Sequence, residues 1–418
     1  MALKSKTDIA RAVKTAVDRT PILDVHTHIY PASFGGLMLW GIEELLTYHY
    51  LVAEVFRRIP ADYDGFYAMS KRKQADLIWQ KLYLENSPVS EACRGPLTCL
   101  KMLGIGANSR TLDKARAYFK KMTAAEYVDV VFRAANVRKV VMTNDPFDPV
   151  EHATWMKQPK ADDRFAAALR IDAILVTWPK AAAQLRKWGY KVRTKIDAKT
   201  VKETSRFLLD WVKRIDPVYM AASLEYDFTY PDRSAGSRML RDAVLPAARK
   251  AGIPFALMMG VNRGLNAGLG VAGDGVAPAD VGTVERLCSE FPDNRFLVTL
   301  LSRVDQHQLS VAARKFGNLH PFGCWWFLNT PSIVEEMTRM RTELLGLSYT
   351  PQHSDARVLD QLLYKWRHSR DIIAKVLTDK YRDLADTGWQ VTSDDIKRDV
   401  ANLLGGSFER FCAETPKT

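Results

Sequence analysis

The chain has 418 residues with an ordinary globular composition, since 47% of them are hydrophobic and 26% are charged. Its formal net charge is +12, but the basic residues are scattered, so we expect neither a nucleic-acid groove nor a membrane-binding patch. The chain contains no apolar run long enough for a transmembrane helix, no apolar signal core near residue 1 and no C-x-x-C pair. We therefore expect a cytoplasmic protein without a cysteine zinc site.

Along the chain, short apolar runs alternate with longer helical patterns, which is typical of an α/β fold. The strand candidates, in order, are residues 22–28, 139–144, 165–170, 218–224, 254–260, 296–301, 320–327 and a last segment near 346–355. Eight strands separated by helices predict a distorted (β/α)8 barrel of the TIM type. We expect residues 1–34 and 136–418 to form the barrel, ending in C-terminal helices. Residues 35–135 are predicted to be a helical insertion near the active-site mouth.

The first strand candidate ends in two histidines that are separated by one residue. Side chains at i and i+2 of a strand point to the same face, so His26 and His28 should project together at the carboxyl end of the strand. Barrel active sites lie at that end. Two imidazoles make half of a divalent metal site, although backbone partners for both rings would explain the motif as well.

Barrel closure would bring the last strand candidate beside the first. Asp355 stands at the end of that candidate, where its carboxylate could complete a metal site with two imidazoles or could cap the following helix. Arg357, two residues later, suits a substrate carboxylate, an oxyanion or a surface ion pair.

Further polar and aromatic residues fall at positions that the predicted barrel brings to its mouth. Arg170 and Arg303 close the third and sixth strand candidates, which favours an anionic substrate, although ion pairs with aspartate would explain them equally well. In the insertion, His49 and Tyr50 are adjacent, and a tyrosine next to a metal-bound oxygen can relay protons, although packing of an amphipathic helix explains the pair more simply. One of the adjacent residues Trp325 and Trp326 should face inward, where it could stack on a sugar ring or pack in the core.

The chain resembles the amidohydrolase superfamily, whose barrels open with H-x-H on the first strand. Within it, the chain is similar to the uronate isomerase (glucuronate isomerase) family over nearly its whole length. The resemblance rests on long segments, namely DVHTH, ELLTYHYLVAEV, SPVSEACRGPLTCL, VVMTNDPFDP, FGCWWFLNTPSIVEEMTRMR, TPQHSDAR and DLADTGW.

This resemblance implies an aldose–ketose isomerase that converts D-glucuronate to D-fructuronate and D-galacturonate to D-tagaturonate. It also implies a divalent metal, usually zinc and alternatively manganese, held by His26, His28 and Asp355. Tyr50 and Arg357 would serve proton transfer and the enediolate intermediate. A sugar acid is the partner we expect, and the chain is expected to form a homo-oligomer.

The family pattern is not matched at every position. His49 and Arg170 would contact the sugar acid, but Met258 stands where the family usually has a histidine on the fifth strand. Glu225 and Asp227 are the candidates for a carboxylate near the end of the fourth strand. A divergent metal-dependent hydrolase of the same superfamily, acting on a small anionic substrate, is the alternative function.

Overall fold

The computed structural model describes Leu3, residues 5–106 and residues 110–413. Within these residues, eight strands form a single curled sheet: β1 Ile22–Thr27, β2 Val137–Asn144, β3 Phe165–Arg170, β4 Pro217–Glu225, β5 Phe255–Asn262, β6 Gly275–Val276, β7 Phe296–Leu300 and β8 Leu319–Pro321. The order across the sheet is β1-β2-β3-β4-β5-β7-β8, with parallel pairing throughout, while the short β6 pairs antiparallel with β5. The predicted α/β class and the parallel sheet are confirmed.

Helices fill the connections between the strands. One helix precedes the sheet, α1 Lys6–Arg19. The long segment between β1 and β2 contains α2 Ile42–Leu46, α3 His49–Val55, α4 Tyr63–Ala68, α5 Lys71–Trp79, α6 Glu91–Met102, α7 Asp113–Phe119 and α8 Ala124–Ala135. The later connections contain α9 Pro149–Met156, α10 Asp172–Val176, α11 Trp178–Lys187, α12 Ala198–Ile215, α13 Ala235–Met239, α14 Leu245–Ala251, α15 Val281–Glu290 and α16 Gln306–Ala313. After β8 come α17 Pro331–Leu345, α18 Gln361–Asp386, α19 Ser393–Ala401 and α20 Ser407–Ala413.

The strands are buried on both faces, as parallel strands between helices must be. Along β5, Ala256 and Met258 belong to a small cluster inside the curl of the sheet, whereas Leu257 and Met259 belong to the large core beneath the helices. This alternation follows from the two-residue period of a strand. The inner cluster also contains Phe408 of α20, so the C-terminal helix contributes to the interior of the sheet.

Residues 350–356 bridge the two edges of the curled sheet. On one side, Thr350 N donates to Pro321 O, and Gly323 N donates to Thr350 O. On the other side, Asp355 N donates to His26 O at 3.1 Å, and His28 N donates to Ala356 O at 2.7 Å. The segment thereby joins β8 to β1 and carries Asp355 to the end of β1.

Two predicted strands differ from the structure. The run predicted at 320–327 ends as a strand at Pro321, because Gly323 adopts a left-handed φ of 71° that an extended chain cannot continue. The segment near 346–355 is not a regular strand, although it makes an isolated parallel bridge at Thr350. Pro351 lacks a backbone donor, and Asp355 has a φ of 50°, so a continuous ladder cannot form there.

Among the residues that the structure describes, none of the helices combines the length and the apolarity that crossing a membrane requires.

Gly323 tests how the bridging segment is packed. An added Cβ would lie 1.9 Å from His353 Cδ2, and the left-handed backbone would be strained as well. We predict that Gly323→Ala lowers the free energy of unfolding by about 3 kcal/mol, from backbone strain and overpacking together. Urea denaturation of the purified chain measures this change.

Gly317→Ala is the matched control, because a Cβ at Gly317 would meet nothing within 4 Å. Equal unfolding midpoints for the two variants would contradict the close packing of His353 against Gly323.

Candidate metal and substrate site

His26 and His28 lie together at the carboxyl end of β1, as the strand period predicts. Their ring centroids are 5.2 Å apart. Asp355 Oδ1 lies 3.5 Å from the Nε2 atoms of both histidines. One ligand atom from each of the three side chains falls within 4.8 Å of the others, which is a spacing that can hold a metal ion. The tertiary structure thus brings together residues more than 300 positions apart.

The backbone of Ser354 is clamped so that Asp355 points at the histidines. Asp24 Oδ1 accepts a hydrogen bond of 3.0 Å from Ser354 N, and Trp366 Nε1 donates to Asp24 Oδ2 at 2.8 Å. At the carbonyl of the same residue, Lys365 Nζ donates to Ser354 O at 2.6 Å. Asp355 does not cap the following helix, because Asp360 occupies the N-cap position of α18.

The hydrogen bonds of His26 indicate which ring nitrogen is free. Nδ1 lies 3.2 Å from Tyr219 Oη and 3.4 Å from Thr143 Oγ1. Both hydroxyls donate their own hydrogen elsewhere, to Val25 O and Thr27 O respectively. They can therefore only accept from Nδ1–H, and in a neutral imidazole this leaves a lone pair on Nε2.

The donor set fits a divalent metal. His26 Nε2 is buried without a hydrogen-bond partner and faces the carboxylate of Asp355. A lone pair opposite a carboxylate oxygen is unfavourable unless a cation lies between them. Burial lowers the pKa of His28 to about 4, so its ring is neutral at pH 7.

A cavity of about 210 Å³ has Lys365 in its wall, and Lys365 Nζ donates to the carbonyl oxygen of Ser354, the residue before Asp355. Its lining comes from α3, α6, α18, the 267–273 turn and the chain after β8: His49, Tyr50, Ala53, Glu91, Ala92, Ala272, Trp326, Phe327, Asn329, Thr330, Tyr364 and Lys365. Three of these residues have a buried polar atom without a hydrogen-bond partner among the described residues, namely His49 Nε2, Tyr50 Oη and Trp326 Nε1. Each unmet group costs roughly 1–3 kcal/mol, so a ligand that forms hydrogen bonds with these atoms would be favoured.

The protonation of the cavity residues follows from their burial. Burial lowers the pKa of His49 to about 3, so the ring is neutral. Burial raises the pKa of Tyr50 well above its usual value, so its hydroxyl keeps its proton. Both residues present neutral donors or acceptors to the cavity.

The three predicted arginines lie in different surroundings. Arg170 donates to Asp172 Oδ2 through Nε at 2.9 Å and Nη2 at 2.5 Å, so its charge is already paired. Arg357 Nη1 donates to His28 O at 2.9 Å and to Leu37 O at 3.1 Å. Arg303 is an exposed residue whose Nε donates to Glu336 at 2.9 Å. Of the three, Arg357 is hydrogen-bonded directly to the backbone of a metal-ligand candidate.

The structure also gives the surroundings of the residues at which the chain departs from the family pattern. Met258 is buried in the inner cluster together with Tyr219. Glu225 lies at the end of β4 and forms an ion pair of 2.8 Å with Arg263, and Asp227 is exposed. The contact between Tyr219 and His26 could not be predicted from the spacing of the two histidines, because Tyr219 lies nearly two hundred residues further along the chain.

Sequence reasoning also missed Lys365. The signal was present, since Lys365 interrupts the apolar pattern of a helix between two residues that are buried, Tyr364 and Trp366. A lysine in such a position is unusual, because charged side chains are seldom fully buried.

Comparisons with known proteins place this geometry among solved structures. No protein-family model matches the chain, and no curated protein matches it. The chain is 52% identical to a uronate isomerase from Bacillus halodurans, with a TM-score of 0.97 over 99% of this chain and 98% of that one. A uronate isomerase from Thermotoga maritima is 15% identical, with a TM-score of 0.79 over 98% and 99% of the two chains. A glucuronate isomerase from Caulobacter crescentus is also 15% identical, with a TM-score of 0.77 over 97% and 94%. The last two likenesses show a shared fold.

The assignment of the His26 proton to Nδ1 can be tested by measuring metal affinity. Tyr219→Phe removes the hydroxyl that accepts from Nδ1–H, so the imidazole is less well oriented and less basic. We predict that zinc and manganese bind about 10- to 100-fold more weakly to this variant. His26→Asn, which removes a ligand, should bind more weakly still. Equilibrium dialysis with metal analysis measures both.

Tyr230→Phe is the matched control, because the hydroxyl of Tyr230 donates to Glu290 instead. It should bind metal like the unmodified chain. Unchanged metal affinity in Tyr219→Phe would contradict the assignment of the free lone pair to Nε2.

Proposed function

This chain belongs to the uronate isomerase family, and from that premise we propose that it interconverts D-glucuronate and D-fructuronate, and likewise D-galacturonate and D-tagaturonate. The observation that carries the proposal is the juxtaposition of two features. A His–His–Asp cluster suited to a divalent metal is linked, through the hydrogen bond from Lys365 to Ser354 O, to a cavity in which three lining residues have a buried polar atom without a partner among the described residues. An open-chain sugar acid supplies the hydroxyl groups and the negative charge that these surroundings lack.

Zinc is the metal we propose for His26, His28 and Asp355, with manganese as the alternative. Two imidazoles and one carboxylate leave further coordination positions open for substrate oxygens. When bound, the metal supplies Lewis acidity that favours negative charge on a substrate oxygen.

The chain's own residues divide the proton transfers between them. The isomerisation moves the hydrogen on C2 to C1 and the hydroxyl hydrogen on O2 to O1. We assign the carbon-bound proton to Asp355, whose carboxyl Oδ1 lies 3.5 Å from the Nε2 atoms of both histidines. Tyr50 carries the hydroxyl proton, since its phenol is protonated and its Oη has no partner within the protein. Removal of the C2 proton gives a cis-enediolate, and return of that proton to C1 completes the ketose.

Arg357 stabilises the negative charge of the enediolate. Nη1 is anchored on His28 O and Leu37 O, which fixes the guanidinium beside the metal-ligand candidates. A fixed positive charge is effective because it needs no reorganisation as the negative charge develops.

The helical insertion, residues 35–135, supplies part of the substrate pocket in this proposal. His49 and Tyr50 open α3 of the insertion, and the ring centroid of His49 lies 5.4 Å from that of Trp326. We propose that His49 and Trp326 contact the sugar hydroxyls. Arg170 also faces the sugar acid in this proposal, while Arg303, exposed and paired with Glu336, acts at the outer approach.

Proton NMR with D-glucuronate and D-galacturonate in deuterated water tests the function, with and without added zinc or manganese. We expect metal-dependent formation of the ketose from at least one uronate. Incorporation of labelled solvent oxygen together with bond cleavage in a substrate amide or ester would instead support the alternative hydrolase, and absence of ketose formation with every metal would overturn the proposal.

Arg357→Lys tests the stabilisation of the enediolate. Lysine keeps the charge, but its single nitrogen cannot donate to His28 O and Leu37 O, as Nη1 does, and also present the other N–H groups of a planar guanidinium. We predict a fall in kcat of about 100-fold, comparable to loss of an oxyanion donor, with a smaller change in KM. Steady-state assays of ketose formation measure the two constants.

Arg398→Lys serves as the control, because Arg398 is an exposed partner in surface ion pairs. Its turnover should match that of the unmodified chain. A turnover of Arg357→Lys near the unmodified value would remove Arg357 from the mechanism.

A further inference from the structure

Lys365 is a buried cation in the wall of the substrate cavity. It lies in the first turns of α18 and is only 3% exposed. Its Nζ donates to Ser354 O at 2.6 Å and lies 5.4 Å from the centre of the Tyr50 ring. Burial lowers its pKa to about 8, so the amine is mostly protonated at pH 7. An ammonium group has three hydrogens, and the bond to Ser354 uses one of them.

No carboxylate oxygen of the described residues lies within 4.0 Å of Lys365 Nζ. Asp355, Asp24 and Glu91 lie near enough to raise the pKa of Lys365, but the last two have other partners. Glu91 is held by Arg94 at 2.7 Å and by His368 at 2.5 Å. Asp24 accepts from Ser354 N and Trp366 Nε1. A buried charge without a counter-ion is unfavourable, so an anion that enters this cavity is attracted to Lys365.

The arginines of the site are less free to bind an anion. Arg170 has its charge paired with Asp172 through two hydrogen bonds. Arg357 has Nη1 committed to two backbone carbonyls, His28 O just after β1 and Leu37 O. Lys365 therefore combines deep burial, a place in the cavity wall and an ammonium group that forms no ion pair with the described residues.

The geometry points to Lys365 as the residue that binds the carboxylate of the sugar acid. The two ammonium hydrogens that Ser354 O does not use are available to carboxylate oxygens in the cavity. This inference rests on the proposed function, because it names the group that selects an acid over a neutral sugar. It separates charge recognition by Lys365 from enediolate stabilisation by Arg357.

Ligands that cannot isomerise allow the inference to be tested by equilibrium binding. L-Gulonate is glucuronate with its aldehyde reduced to an alcohol, and D-glucitol is the same chain with a hydroxymethyl group in place of the carboxylate. Calorimetry with the metal-loaded chain gives a Kd for each. We expect the unmodified chain to bind gulonate more tightly by on the order of 100-fold, as a desolvated charge pair should.

Lys365→Met should reduce this preference to a few-fold by weakening gulonate binding alone. Lys365→Gln is the second variant, since its amide can still donate to Ser354 O, and it should lose the preference in the same way. Lys375→Met is the matched control. It changes a lysine of the same helix that is exposed and paired with Glu335, and its preference should equal that of the unmodified chain.

Kinetics provide an independent readout. The substrate carboxylate is charged in both the ground state and the transition state. Replacing its partner Lys365 should therefore raise KM for D-glucuronate on the order of 100-fold with little change in kcat.

The outcomes separate the two proposals. An unchanged preference for gulonate in both Lys365 variants overturns the inference. An equal loss of affinity for gulonate and for glucitol also overturns the inference, because Lys365 would then act only through Ser354 and the backbone of Asp355. A chain that prefers gulonate through Lys365 but forms no ketose contradicts the proposed function and supports the inference. A chain that binds neither ligand overturns the inference, while ketose formation still decides the proposed function.

Discussion

The constraint on which the site depends is the approach of two electron-rich groups, His26 Nε2 and Asp355 Oδ1, to 3.5 Å. Tyr219 and Thr143 direct the hydrogen of His26 to Nδ1, and this leaves Nε2 to face the carboxylate. Such an arrangement is stable only with a cation between the two groups. The hydrogen bonds to Ser354 N and Ser354 O fix the backbone next to Asp355. The carboxylate therefore stays close to His26 Nε2, and the backbone as well as the side chains favours a bound cation.

The second organising feature is a shortage of hydrogen-bond partners beside this centre. His49 and Tyr50 begin α3 and Trp326 follows β8, yet all three line one cavity and have a buried polar atom without a partner among the described residues. Lys365 adds a buried positive charge with no carboxylate oxygen of the described residues within 4.0 Å. These groups cost stability in the free protein, and a polyhydroxylated anion would satisfy them together. Substrate recognition thus follows from the same principle as metal binding, namely unmet polar groups that are held in place.

Much of the architecture was predictable because parallel strands are buried on both faces and therefore appear as short apolar runs. Six of the runs overlap the parallel strands β1 to β5 and β7. The two predictions that differed, at 320–327 and 346–355, involve Gly323, Pro351 and Asp355. Their left-handed φ values and the missing backbone donor interrupt a ladder that apolarity alone would suggest. The division of the chain into a barrel and an insertion remains a prediction.

The sequence by itself determined the local part of the site. The two-residue period of a strand puts His26 and His28 on one face, and the order of apolar runs brings Asp355 to the neighbouring edge. Only the tertiary structure decided the tautomer of His26, the pairing of Arg170 with Asp172 and the burial of Lys365 without an acid. These properties depend on contacts between residues far apart in the chain, and on the water that folding removes around them. Neither the contacts nor the loss of solvent has a signature in local spacing.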